Sequence, residues 1–103
     1  MAGAIMTSQR DDWNTPGELL EPVREFLGAI DLDPCWNRTS LTEPKVGFDL
    51  ANQGQDGLKL PWGKCRVFVN PPWGRVIGQW CVKAEMEKRE NGAGIVMRSS
   101  MRP

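Results

Sequence analysis

Arg66-Val67-Phe68-Val69-Asn70-Pro71-Pro72-Trp73-Gly74 is the stretch that decides the fold. Its first four residues are the best strand signal in the chain. The apolar run is continuous, not alternating, as burial on both faces of a parallel sheet requires. The strand must stop at Asn70, because Pro71 and Pro72 have no N–H to give a neighbour. Downstream, the spacing predicts a helix from Arg75 to Glu90 with Val76, Ile77, Trp80 and Ala84 as its apolar stripe. Lys83, Glu87 and Lys88 are expected mainly outside that stripe. Asn91-Gly92 ends the helix, and Gly94-Ile95-Val96-Met97 reads as another strand.

Upstream of the key strand, Thr15-Pro16-Gly17-Glu18 is a helix-start pattern. Thr15 is placed to cap, Pro16 to occupy the first helical position, and Glu18 to close a capping box. Leu19, Leu20, Val23, Phe26 and Leu27 follow at helical spacing, and Gly28 closes the segment. Pro22 conflicts with one smooth helix: either the helix kinks, or a short turn precedes a helix beginning near Pro22. Ile30-Asp31-Leu32-Asp33 alternates and reads as a short strand stopped by Pro34. Residues 36–63 lack periodicity and read as a long loop with one helical turn near Leu50; loops of this length in a small domain are usually functional or mobile. Helix, strand, loop, strand, helix, strand is the order of an α/β protein with a mainly parallel sheet. Residues 1–10 read as a flexible leader, 11–97 as the domain and 98–103 as a disordered tail.

The chain has 103 residues, of which 40% are hydrophobic, enough for one modest core. No apolar run approaches the roughly 18 residues that a membrane helix needs, and no secretory leader is evident. The expectation is a soluble, cytoplasmic protein with no membrane partner. There is no histidine and no tyrosine. That excludes a Ser–His or Cys–His catalytic pair and any histidine metal site. Cys35, Cys65 and Cys81 form no Cys-x-x-Cys pair, so no metal is expected and buried free thiols fit best. The zero net charge hides a polarity: residues 1–56 carry four basic against ten acidic side chains, and residues 57–103 nine against three. The acidic half suits a cationic ligand and the basic half an anionic polymer.

The chemistry lies in Asn70-Pro71-Pro72-Trp73. It follows the best strand at its carboxyl end, the edge where open α/β sheets bind ligands. Two prolines stiffen the turn and remove two donors, leaving the Asn70 side-chain oxygen and the Pro71 carbonyl as acceptors beside a broad aromatic ring. An aryl or amide-like amine has its lone pair delocalised. Two acceptors on its two hydrogens favour a tetrahedral nitrogen with a localised pair, and no strong base is needed. Trp73 would stack on a planar substrate, as flipped bases are held.

Asn70-Pro71-Pro72-Trp73 resembles the catalytic motif of amino-group methyltransferases that use S-adenosylmethionine. The wider set is similar to the phage-type DNA N-6-adenine methyltransferase (Dam) family: Asp12-Trp13-Asn14-Thr15-Pro16, Ile30-Asp31-Leu32-Asp33-Pro34-Cys35, Asp56-Gly57-Leu58 with Pro61-Trp62, Val67 to Gly74, then Trp80 and Lys83. The resemblance implies a partial Rossmann-like methyltransferase fold and an adenine-specific DNA methyltransferase acting on double-stranded DNA. It implies that Asn70, Pro71, Pro72 and Trp73 are catalytic. Thr15, Pro16, Asp33 with Pro34, Asp31 as second candidate, and Asp56 at the cofactor adenine amine would bind S-adenosylmethionine. Lys59, Lys64, Arg66 and Arg75 flank the motif in sequence and are candidate phosphate contacts.

The pattern departs from the family in two respects. Trp36-Asn37-Arg38-Thr39-Ser40 stands where a glycine-rich cofactor loop is usual, and three strands are legible where about seven are typical of a full methyltransferase sheet. Residues from 98 onward look unlike the family's continuation, which reads as a shortened chain; a homodimer is one route to further strands. Two other readings stay open on the residues alone. One is the same chemistry on an RNA adenine or a protein glutamine amide. The other is an inactive remnant, or a DNA-binding module that needs a partner.

Overall fold

The structure, a computed structural model, describes residues 14–72 and 76–98. The elements run α1 (Gly17–Leu27), β1 (Leu32–Asp33), β2 (Val46–Gly47), α2 (Leu50–Gln53), β3 (Arg66–Val69), α3 (Ile77–Met86), a π-helical turn (Glu87–Asn91) and β4 (Gly94–Met97). The four strands form one sheet in the order β2-β1-β3-β4, and every neighbouring pair is parallel. The fold is therefore α/β.

β3 sits inside the sheet, as its unbroken apolar run requires: Val67, Phe68 and Val69 are all buried. Alternate residues feed two cores. On one face Phe68 joins Ile30 and Leu20, with Val23, Leu27 and Val96 against them. On the other, Val67 and Val69 join Leu32, Trp62, Trp80 and Ala93. α1 covers the first face. α3 and the 57–65 segment cover the second.

α1 is one helix that contains Pro22. The hydrogen bond lost at Pro22 would end on the carbonyl of Glu18, and both residues are exposed, so water can replace it. Leu20 anchors the helix with no exposed surface; Leu20→Ala should cost about 2–5 kcal/mol. Leu19 and Phe26, expected on the apolar stripe, face solvent instead, Phe26 at 79% exposure. The capping box does not form. Pro16 is the N-cap, without a side-chain bond, which shifts the helix start by one residue and leaves Thr15 outside it. Gly28 closes the helix at φ 90°, with its N–H on the Arg24 carbonyl.

The loop of residues 36–63 contains two elements. β2 is two residues long, held by Val46 N–H on the Asp31 carbonyl and Phe48 N–H on the Asp33 carbonyl. α2 is the helical turn expected near Leu50, capped by Asp49. Asn91-Gly92 ends the second long helix as expected, with Gly92 in the left-handed region.

The largest correction concerns α3. Lys83 and Glu87, expected outside its stripe, are 8% and 1% exposed. Spacing puts them on the Trp80 face, at i+3 and i+7 from Trp80, and pairing at 2.7 Å allows their charges to be buried there. Asn91 also donates to Glu87, at 2.8 Å. Burial raises the Glu87 carboxyl, but Lys83, Asn91 and the Trp62 amide outweigh it and hold the group below its ordinary value. The burial expected of the cysteines is corrected too: none is in a disulfide, but Cys35 and Cys65 are half-buried and Cys81 is exposed.

Candidate active site

The chain runs from β1 outward to β2, then crosses back over β1 to β3 and continues to β4. The direction of growth reverses between β1 and β3. In an open parallel sheet, the crevice outside the carboxyl ends at such a reversal is where ligands bind. Two proline turns leave the sheet side by side there: Asp33-Pro34-Cys35 after β1 and Asn70-Pro71-Pro72 after β3.

The Asp33 carboxylate is 3% exposed. Oδ1 accepts from the Cys35 N–H at 3.0 Å, and Oδ2 from the Thr42 hydroxyl at 2.6 Å. No described cation lies against it. Burial pushes the carboxyl up to about 6, against the pull of its two hydrogen bonds. Asp33 thus holds the Pro34–Cys35 turn in shape and offers little surface of its own.

Asn70 is half-buried and Pro71 is buried. The preceding carbonyl, of Val69, accepts from the Arg98 N–H at 2.8 Å, which carries the β3–β4 pairing past the end of β3. Arg98 is thereby part of the ordered sheet edge, and its guanidinium donates to the Thr15 hydroxyl at 3.4 Å. This contact brings the buried Thr15, with Pro16 next to it, to the carboxyl edge.

A third segment closes on the same edge. In residues 56–60, Asp56 Oδ1 accepts from the Leu58 N–H, and the Asp56 carbonyl from the N–H groups of Lys59 and Leu60. Asp56 Oδ2 receives no hydrogen bond from any described residue. Gly57 is pressed against the first turn. A Cβ there would lie 2.4 Å from the Pro34 carbonyl oxygen and 2.8 Å from the Trp80 ring, so only glycine fits. The Asp-Gly pair is a close approach between loops as well as a turn.

Sequence reasoning missed two features of this edge. Asp49 follows β2 and is buried, with both oxygens bonded to Asn52. It was invisible because β2 was invisible. Asn14 and Asn37 exchange side-chain hydrogen bonds at 3.3 and 3.1 Å, and Asn14 also donates to Thr39 at 2.7 Å. The segment standing where a glycine-rich loop was sought is thus tied to the residue before Thr15.

The structure separates other expected partners from this edge. Asp31 precedes β1, and Arg66 opens β3, so both lie at the amino ends of their strands. Asp31 Oδ2 accepts from Arg66 Nε and from the Arg66 N–H, each at 2.9 Å, and Lys45 stands 3.5 Å from Oδ1. Arg66 holds the Asp31 carboxyl well below the usual carboxylate range. Lys64 packs beside Gly92, ahead of β4, on this same amino edge. Four strand residues span roughly 13 Å, so neighbours of Asn70 in sequence are not its neighbours in space. The structure thus places Asp31, the second candidate for a cofactor acid, and Arg66 and Lys64, candidate phosphate contacts, on the amino edge, away from Asn70. Lys59 is exposed in the 56–60 turn. Trp73 and Arg75, like the expected leader and residues 99–103 of the expected tail, lie outside the described residues.

The arrangement thus has acceptors at Asn70 and Pro71, an acid with an open oxygen at Asp56, and buried acids at Asp33 and Asp49. It suits a ligand that is cationic or rich in donors. Among the described residues, no group of three acidic or thiol side chains is placed to hold a metal ion, and no helix is long and apolar enough to cross a membrane. In comparison with known proteins, residues 3–100 match the family DNA N-6-adenine-methyltransferase (Dam). No curated protein and no solved structure matches the chain.

Proposed function

The chain belongs to the DNA N-6-adenine-methyltransferase (Dam) family, and from that premise we propose that it methylates the exocyclic amine of adenine in double-stranded DNA, with S-adenosylmethionine as the methyl donor. One observation carries the reading: Asn70-Pro71-Pro72 leaves β3 beside Asp33-Pro34, at the reversal of strand order.

The donor set fits the cofactor. Asp56 Oδ2 is an acceptor open to an adenine amine or a ribose hydroxyl, and the acids along this edge favour a sulfonium cation. Thr15, Pro16 and the Pro34 turn would line the same crevice. When bound, S-adenosylmethionine supplies an electrophilic methyl group. The rest is done by the chain. Asn70 Oδ1 and the Pro71 carbonyl accept the two hydrogens of the adenine amine and localise its lone pair. Neither Pro71 nor Pro72 has an N–H, so neither proline offers a donor that would compete for that pair. Trp73 would stack on the base, which must leave the duplex to reach it. Lys59 and Arg75 remain as phosphate contacts. The catalytic effect is positioning and electrostatics, consistent with a chain that lacks histidine.

The test is methyl transfer to unmethylated DNA, followed by digestion to nucleosides and mass spectrometry, with Asn70→Ala beside the wild type. The expected result is N6-methyladenine from the wild type alone. A folded wild type that yields none, or Asn70→Ala that yields as much, contradicts the reading.

A further inference from the structure

Trp62 has no place in the reaction just described, yet its ring and its polar groups are all engaged. Its ring lies against Trp80, with centroids 6.4 Å apart and planes 26° apart. Lys83 Nζ stands 5.6 Å from its centroid, in the buried pair with Glu87. Its carbonyl accepts from the Cys65 thiol at 3.2 Å. Its indole Nε1–H, buried, donates to the Gly57 carbonyl at 2.9 Å. Gly57 is the residue wedged against Pro34 and Trp80, and Asp56 is joined to it directly.

We propose that Trp62 is a positioning residue for the cofactor site: its indole N–H draws the Asp56–Gly57 turn onto Pro34 and so fixes the open Asp56 carboxylate oxygen. The inference rests on the functional reading above and deepens it. A core tryptophan needs only to be buried. This one spends its side-chain donor on the carbonyl of Gly57, the residue next to Asp56. Lys83, paired with Glu87, lies over the ring, where a cation is favourable.

The test is a double-mutant cycle read by calorimetric titration with S-adenosylhomocysteine, at low temperature, where stoichiometry reports the folded fraction. Trp62→Phe keeps an aromatic ring and loses the donor. It should raise Kd about tenfold at full stoichiometry, the worth of one buried hydrogen bond. In the Asp56→Asn background the same change should move Kd by less than about twofold, because Trp62 acts through Asp56. Phe68→Leu, in the opposite core, should lower Tm and leave Kd unchanged. An unchanged Kd in Trp62→Phe, or an equal loss in both backgrounds, overturns the role of Trp62 alone. A folded wild type that binds no S-adenosylhomocysteine overturns the functional reading with it. If Trp62→Phe does not fold, benzothienylalanine at position 62, which keeps the two-ring shape and puts sulfur in place of the N–H, takes its place in the cycle under the same criteria.

Discussion

Asp31 and Asp33 lie two residues apart, one just before β1 and one at its carboxyl end, and they are held in opposite ways. Asp31 is clamped by the Arg66 guanidinium and amide, with Lys45 near, and its carboxyl is held low. Asp33 is buried, its carboxylate has a hydroxyl and an amide as partners among the described residues, and it is raised to about 6. The amino edge of the sheet is a charge-matched clamp that stabilises the fold. The carboxyl edge keeps an acid where its ionisation is unfavourable. A residue that costs stability and still shapes the Pro34 turn fits the site proposed there.

Glu87 sharpens the contrast, being as buried as Asp33 but paired with a cation. Lys83→Met turns it into a buried acid without one, and the expected loss is the largest here, about 3–5 kcal/mol in urea denaturation. Adding Glu87→Gln should restore most of that loss, since the amide still accepts from the Trp62 N–H. If the double variant is no better than the single one, the ion pair is not what makes the site sensitive.

Asp33→Asn should have the opposite sign. A carboxyl raised from 3.8 to about 6 on folding favours the folded state while protonated. Its contribution is fully present below the unfolded value and is lost as pH rises through about 6. Removing the charge should therefore stabilise the protein at pH 8 by up to about 3 kcal/mol, and the gain should vanish near pH 4. Asp33→Asn that destabilises at pH 8 would remove the distinction between the two edges.

Asp31→Asn is the smallest of the three. Its carboxyl is depressed on folding, so its contribution is present above the ordinary carboxylate value and fades as pH falls below it. The pair with Arg66 is partly solvent-exposed. Solvent screening limits the loss to about 1 kcal/mol at neutral pH, shrinking in acid, in the same denaturation assay. A loss that grew in acid would reverse the assignment.

How much of this was legible in the sequence follows from what each residue depends on. β3, β4 and the turn after Asn70 declare themselves locally, through an apolar run and a proline pair. β2 does not: Val46-Gly47 is a strand only because the Asp31 and Asp33 carbonyls and the Phe48 amide pair across it. Lys83 and Glu87 had the spacing of core residues and were read as surface because of their charge. Arg66 and Asn70 looked like neighbours, but a strand places its two ends on opposite edges. Thr15 was read as a cap, and the structure engages it through Arg98, 83 residues away. Local chemistry singled out the Asn70 turn, and only the topology showed which other residues share its edge.

The most direct test of that topology is chemical-shift mapping of the amide groups as S-adenosylhomocysteine is titrated. The account predicts that the shifts concentrate at Asp33, Cys35, Gly57 and Asn70, on the carboxyl edge, and leave Asp31, Lys45 and Arg66 unmoved. Shifts centred on Asp31, Lys45 and Arg66 would place the ligand on the wrong edge and contradict it.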